Sequence, residues 1–177
     1  WSSDVCSSDL PSPTVSVPTS VIYCNSDLVP VTSFASSPAG GTFAWTNDNT
    51  NIGLPANGTG DISSFVATNT TPNQITANIT VTATVNGCLG ISNTYTVKVD
   101  PTPTVVTPAS AAYCNNTTVP TATFTSTTTG ATFTWTNDNI NIGLAANGTG
   151  NIPTFTATNT TNAPIVATIT VTPITAN

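Results

Sequence analysis

The chain has almost no charge: a single cation, Lys98, stands against seven acidic residues, all of them aspartates (Asp4, Asp9, Asp27, Asp48, Asp61, Asp100 and Asp138). Glu, His, Arg and Met are absent. Each absence removes a class of function. A net charge of -6 with one cation lacks the basic footprint that nucleic-acid binding requires, and it argues against attachment to anionic membrane surfaces. No apolar run approaches the roughly 18 residues of a membrane span. With no His and no closely spaced Cys pair, a zinc site is not expected. Ser and Thr nucleophiles find no base other than Lys98, which alternation places on the outer face of a strand.

Charged residues make up 5% of the chain, where about a quarter is usual, so Thr, Asn and Ser must keep it soluble. A chain rich in Thr, Val and Ile and poor in Leu, Glu and Lys favours strands over helices. The expected fold class is therefore all-β.

The ends read differently from the middle. Residues 1–10, WSSDVCSSDL, lack alternation and have neither the basic start nor the apolar centre of a signal peptide. The decapeptide resembles the translation of a common sequencing adapter, which implies a non-native tail that includes Cys6, and the alternative is a disordered Ser-rich tail. From residue 11 onward the chain repeats itself. An offset of 90 residues pairs Pro13 with Pro103, Cys24 with Cys114, Phe34 with Phe124, Trp45 with Trp135, Gly58 with Gly148 and Val81 with Val171. Two tandem modules follow, at 11–100 and 101–177, the second cut short at its C-terminal end. The junction Asp100-Pro101-Thr102-Pro103-Thr104 reads as a short, proline-stiffened spacer, of the kind that joins modules into rods.

Within a module the apolar period is two. Ile75, Ala77, Ile79, Val81, Ala83 and Val85 share one face, with Thr76, Asn78, Thr80, Thr82 and Thr84 on the other. Tyr95, Val97 and Val99 alternate likewise with Thr94, Thr96 and Lys98. Turn signals fall at Pro38-Ala39-Gly40-Gly41, at Asn57-Gly58-Thr59-Gly60 and at Asn86-Gly87. About seven short strands per module, one carrying a buried Trp, predict an immunoglobulin-like β-sandwich.

The shared frame, with YCN, WTN, IGL, ANGTG, ATNTT and ITVT recurring in order and NGC followed by TYTVKVDPTP closing the first copy, resembles the PKD-like repeats of large secreted surface proteins of Bacteroidota. That resemblance spans residues 11–177. It implies immunoglobulin-like sandwiches strung in arrays, extracellular or at the bacterial cell surface, often in adhesins, with neighbouring repeats as partners. Trp45-Thr46-Asn47 stands where the better-known PKD signature has Trp-Asp-Phe-Gly-Asp-Gly, so calcium or ligand behaviour tied to that signature does not carry over.

Leaving out Cys6, the economical pairing is one disulfide per module. Cys24 would bond Cys88 in the first, and the mate of Cys114 would fall just beyond Asn177; the alternative is buried thiols. A bridge of that kind would suit an oxidising, extracellular setting.

Candidate chemistry is thin. Asp48 and Asp61 are the nearest carboxylate pair, but Asp61 becomes Asn151 in the second copy, which counts against acid–base hydrolysis. The Asx-rich loops Asn47-Asp48-Asn49-Thr50-Asn51 and Asn137-Asp138-Asn139-Ile140-Asn141 could offer oxygens to Ca²⁺ through Asp48 and Asp138. One Asp per loop fits Asx-turns better than a calcium cage. Trp45 and Trp135 read as core residues rather than sugar platforms, and the N-x-[ST] patterns at Asn57, Asn69, Asn78, Asn115, Asn116, Asn147 and Asn159 arise readily in an Asn/Thr-rich chain. No cofactor and no catalysis are expected. The sequence points to a structural or adhesive stalk module, with a glycan- or protein-binding accessory module of an extracellular enzyme as the second reading.

Overall fold

The computed structural model describes residues 12–175; the adapter-like segment 1–10 and the last two residues lie outside them. Its described residues are all-β, with no helix of seven residues or more among them and with several sheets, none closed into a barrel. It divides into two compact units between Thr102 and Pro103.

The first unit contains β1 (Thr14–Ser16), β2 (Val21–Cys24), β3 (Leu28–Val29), β4 (Ala35–Ser37), β5 (Thr42–Asn47), β6 (Asn57–Thr59), β7 (Phe65–Val66), β8 (Ile75–Val85), β9 (Cys88–Leu89) and β10 (Asn93–Asp100), with one 3-10 turn at Thr50–Ile52. The main sheet runs β2-β10-β8-β5-β6. Its pairings are antiparallel except that β10 and β2 run parallel. Asn86 and Gly87, both at positive φ (51° and 81°), turn β8 back onto β9, as the Asn-Gly pair predicts. The two-stranded ladders β1–β4 and β3–β7 lie outside this sheet.

β8 explains how the sequence makes the core. Ala77, Ile79, Val81, Ala83 and Val85 are buried along one face, as the alternation requires. From β10, Tyr95, Val97 and Val99 join them, and Val15, Val29, Ile52, Leu54, Ile62 and Ala67 close the other side from the short ladders and loops. The outer face is a hydroxyl lattice, in which Thr80 meets Thr94 at 2.9 Å and Thr82 meets Ser92 at 2.7 Å. Such cross-strand Thr pairs support a sheet that carries few charges.

Asn57-Gly58-Thr59-Gly60, expected as a tight turn, is instead the strand β6 running into a bend. Gly58 lies directly across from Trp45, and a Cβ there would overlap the indole ring. The glycine is present because two backbones and a large ring meet at that point.

The second unit contains β11 (Thr118–Val119), β12 (Thr132–Asn137), β13 (Asn147–Thr149), β14 (Phe155–Thr156) and β15 (Ile169–Ile174), with a 3-10 turn at Ile140–Ile142. The sheet β13-β12-β15 repeats β6-β5-β8, and β11–β14 repeats β3–β7. Where about seven strands per module are expected, the described residues hold ten in the first unit and five in the second. The first count is the higher because several of its strands are only two residues long. The core of the second unit is correspondingly small: Phe124, Trp135, Leu144 and Ile152.

Candidate functional site: the duplicated Asx corner

The residues most able to do chemistry lie where β5 ends. Asn47, itself buried, donates its amide to the carbonyls of Leu54 (2.8 Å) and Pro55 (3.3 Å), while its oxygen accepts from Asn49 N at 3.0 Å. Asn49 then caps the 3-10 turn, accepting from Asn51 N at 3.2 Å and donating to Thr76 O at 3.0 Å. Asx side chains favour this use because the short amide mimics a backbone group two residues on.

Asp48 faces β8. Its two carboxylate oxygens accept from the backbone N–H (2.7 Å) and the side-chain amide (2.6 Å) of Asn78, and its own N–H donates to Asn78 O at 3.3 Å. Donation from the Asn78 backbone, reinforced by the Asn78 amide, holds the Asp48 carboxyl below its ordinary range. A cation at Asp48 would have to displace both donors.

The corner is duplicated nearly bond for bond. Asn137 donates to Leu144 O at 3.1 Å, Asn139 caps the second 3-10 turn, and Asp138 accepts from Thr168 N at 2.7 Å. Thr158 and Thr68 each donate to the carbonyl of the matching Asn, Asn141 and Asn51, at 2.6 Å. Among the described residues, no three His, Cys, Asp or Glu side chains gather into a group able to hold a metal ion.

Compared with known proteins, the chain matches no family model and no curated sequence.

Asp48 and Asp61 do not meet. Asp48 follows the Asn47 end of β5, while Asp61 follows Gly60, which bonds Phe43 near the other end. About five residues of strand, on the order of 16 Å, separate those two levels, beyond the roughly 5–9.5 Å that paired carboxylate hydrolysis uses. Asp61 instead accepts from Ser33 Oγ (2.7 Å) and Phe34 N (3.2 Å). Asn151 accepts from Phe124 N at 3.0 Å in the same place, so the change from Asp to Asn retains the structural bond.

The expected Cys24–Cys88 disulfide is not formed. Cys24 ends β2 opposite Asp100, level with the start of β8, whereas Cys88 lies opposite Val85 at the far end of that strand. Eleven residues of strand place them roughly 30 Å or more apart, and bonded cysteines need Cα atoms within about 7 Å. Spacing along the chain carries no information about which end of a sheet a cysteine occupies. Cys114 is exposed with a free thiol.

Trp45 and Trp135 are core residues, 7% and 4% exposed. Each indole N–H is buried without a partner. Lys98 lies on β10 between Ile22 and Thr76. No helix among the described residues is long and apolar enough to cross a membrane.

One polar arrangement was not expected from the sequence. Asn69, 3% exposed, accepts from Thr71 and donates to Asn73 O (2.8 Å) and to Val99 O (2.7 Å), while its backbone N–H donates to the Asn25 side chain at 2.7 Å. Asn25 N donates to Asp100 O at 2.8 Å. Together they clamp the end of β10. The available signal was the pairing of YCN with ATNTT in both copies, which reads first as an accidental glycosylation pattern.

Proposed function

We propose that this chain is a non-catalytic structural or adhesive part of a large secreted or cell-surface bacterial protein, built of immunoglobulin-like, PKD-like β-sandwiches that act as stalk or spacer between neighbouring repeats. A six-stranded sheet covered by shorter ladders, with a buried Trp on β5, supports the sandwich assignment.

The observation that carries the functional reading is what the duplication keeps. The bonds reproduced at the 90-residue offset hold loop to strand: the Asx corner, the acceptor at Asp61 or Asn151, and the Asn–Thr turn at Asn69 or Asn159. Duplication has copied a scaffold. A low-charge, Thr- and Asn-rich surface suits an extracellular role.

The stalk role is tested by anchoring a reporter domain to a cell surface through this chain. Removing the second unit should reduce antibody access to the reporter. Unchanged access, or cleavage of a polysaccharide or protein polymer by the purified chain, would overturn the reading.

A specific surface favours the second reading, a protein-binding accessory module of an extracellular enzyme. Leu28 and Val66, cross-strand partners on β3 and β7, are 69% and 51% exposed, with Val31 nearby in sequence at 59%. The second unit has Thr118, Thr156 and Thr121 at those positions. Saturable binding to a protein or glycan array that Leu28→Thr abolishes would favour this reading over the stalk.

A further inference from the structure

Asn-Gly peptide bonds occur in the chain at Asn57, Asn86 and Asn147. The reacting groups are the same in each, and the fold treats them differently. We propose that Asn86 is a self-modification site, converted to a mixture of aspartate and isoaspartate through the backbone nitrogen of Gly87, while the ladders protect Asn57 and Asn147.

The chemistry needs only water. The Gly87 nitrogen, having given its proton to solvent, attacks Asn86 Cγ and forms a new C–N bond. The side-chain nitrogen takes up a proton and leaves as ammonia, closing a cyclic imide. Water then adds to one of the two imide carbonyls, and the C–N bond at that carbon breaks. Breakage at Cγ leaves aspartate in an ordinary backbone, whereas breakage at the main-chain carbonyl leaves isoaspartate, with the chain running through Cβ. The net change is amide plus water to carboxylate plus ammonium, with no oxidation or reduction. A following glycine suits the attack because it has no Cβ to obstruct it.

The nucleophile is a backbone nitrogen, so its hydrogen bonding decides where the reaction runs. Beside β6, Asn47 N donates to Ala56 O at 2.7 Å and Gly60 N donates to Phe43 O at 2.9 Å. Antiparallel pairs alternate between bonded and non-bonded. Trp45 and Gly58, midway between those two bonds, are therefore a bonded pair, and Trp45 O holds the Gly58 N–H. The second unit repeats this. Asn137 N to Ala146 O and Gly150 N to Phe133 O, both 2.8 Å, fix Gly148 on Trp135 in the same way.

Asn86 and Gly87 are placed otherwise. Gly90 N donates to Ala83 O at 2.8 Å, which makes Val85 and Cys88 the last bonded pair of the β8–β9 hairpin. Asn86 and Gly87 form the loop beyond that pair, so the Gly87 N–H belongs to no ladder. Asn86 is exposed, and its side-chain amide makes no hydrogen bond among the described residues. A Cβ at Gly87 would meet no atom within 4 Å. Nucleophile and electrophile are thus adjacent, unpaired and open to water.

The product changes the hairpin. A carboxylate at position 86 adds one negative charge to a chain whose net charge is -6. Isoaspartate also inserts a backbone atom into a loop whose two residues, at φ 51° and 81°, span Val85 and Cys88. That loop geometry sets the strand register, so the end of the hairpin loosens. The inference does not depend on the stalk reading, since it concerns the chemistry of one turn.

The test ages the whole purified chain in mildly alkaline buffer, once folded and once in denaturant. Peptide mapping by mass spectrometry, with fragmentation that distinguishes isoaspartate, follows all three sites. In the folded chain Asn86 should convert about tenfold or more faster than Asn57 and Asn147, whose paired amides react only after local opening. In denaturant the three rates should converge. Hydrogen exchange at the Val85 amide should quicken in the aged, folded chain. Equal rates at the three sites of the folded chain, or faster conversion at Asn57 or Asn147, would overturn the proposal. So would the same preference for Asn86 in denaturant, since neighbouring residues rather than ladders would then set it.

Discussion

The two units carry nearly the same residues at the same offsets, yet they bury them differently. Ile52, Ala67, Ile79 and Val81 are fully buried in the first, while Ile142, Ala157, Ile169 and Val171 are only partly covered in the second. The local hairpins do not account for this. β5, β6 and their 3-10 turn match β12, β13 and theirs down to cap dihedrals within a few degrees. β8 is paired on both edges, by β5 and β10, whereas among the described residues β15 pairs only with β12. Local hydrogen bonding is thus set within each segment, whereas burial depends on a non-local partner. Most helical or strand stability in a domain comes from such packing rather than from propensity.

The largest test of that comparison is the same substitution in both units. Ile79→Ala removes a fully buried side chain and should cost about 2–5 kcal/mol. Ile169→Ala removes a half-covered one and should cost about 1 kcal/mol, in proportion to the apolar area at stake. Opening free energies from native-state hydrogen exchange in β8 and in β15 separate the two effects. Equal costs would show that the second core is as closed as the first.

A control should show no such contrast. Gly58 lies against Trp45 and Gly148 against Trp135 with closely similar geometry. Gly58→Ala and Gly148→Ala should therefore each cost about 1–3 kcal/mol, the usual range for forcing atoms into a packed site. Denaturant unfolding followed by tryptophan fluorescence measures both. A large difference between them would locate the contrast in the hairpin after all.

Much of this was legible in the sequence, for a physical reason. β8 was read from a strict period of two, because a half-buried strand must alternate, and the Asn86-Gly87 turn follows from the positive φ that its geometry demands. The Trp on β5 as a core residue was equally accessible. What failed were inferences that needed to know which strand lies beside which. The glycine-rich Asn57–Gly60 pattern suggests a turn because the Trp45 ring across from Gly58 is not visible along the chain. The Cys24–Cys88 pairing failed because sequence separation does not specify the end of a sheet, and the Asn25–Asn69 clamp was missed because it joins three segments. At the candidate site, the Asx-turn reading of Asp48 was available from the dense Asn pattern, but its partner Asn78 was not.

Asp48 offers the smallest and sharpest comparison. In the first unit it accepts two hydrogen bonds from Asn78, whereas Asp138 faces Thr168, which has no side-chain amide to offer. Donation to the ionised carboxylate pulls the Asp48 pKa below its ordinary value of 3.8. A depressed folded-state pKa means that this contribution to stability is present above the unfolded value and disappears as pH falls through 3.8 to the folded value. Asn78→Thr writes the second unit's residue into the first and keeps the backbone donor. The Asp48 carboxyl should then titrate closer to 3.8, and acid unfolding of the first unit should begin at slightly higher pH. Carbon-detected titration of the Asp48 carboxyl reads the shift directly. A midpoint unmoved by the substitution would mean that the backbone N–H alone sets it, and that the two corners are electrostatically alike despite their different partners.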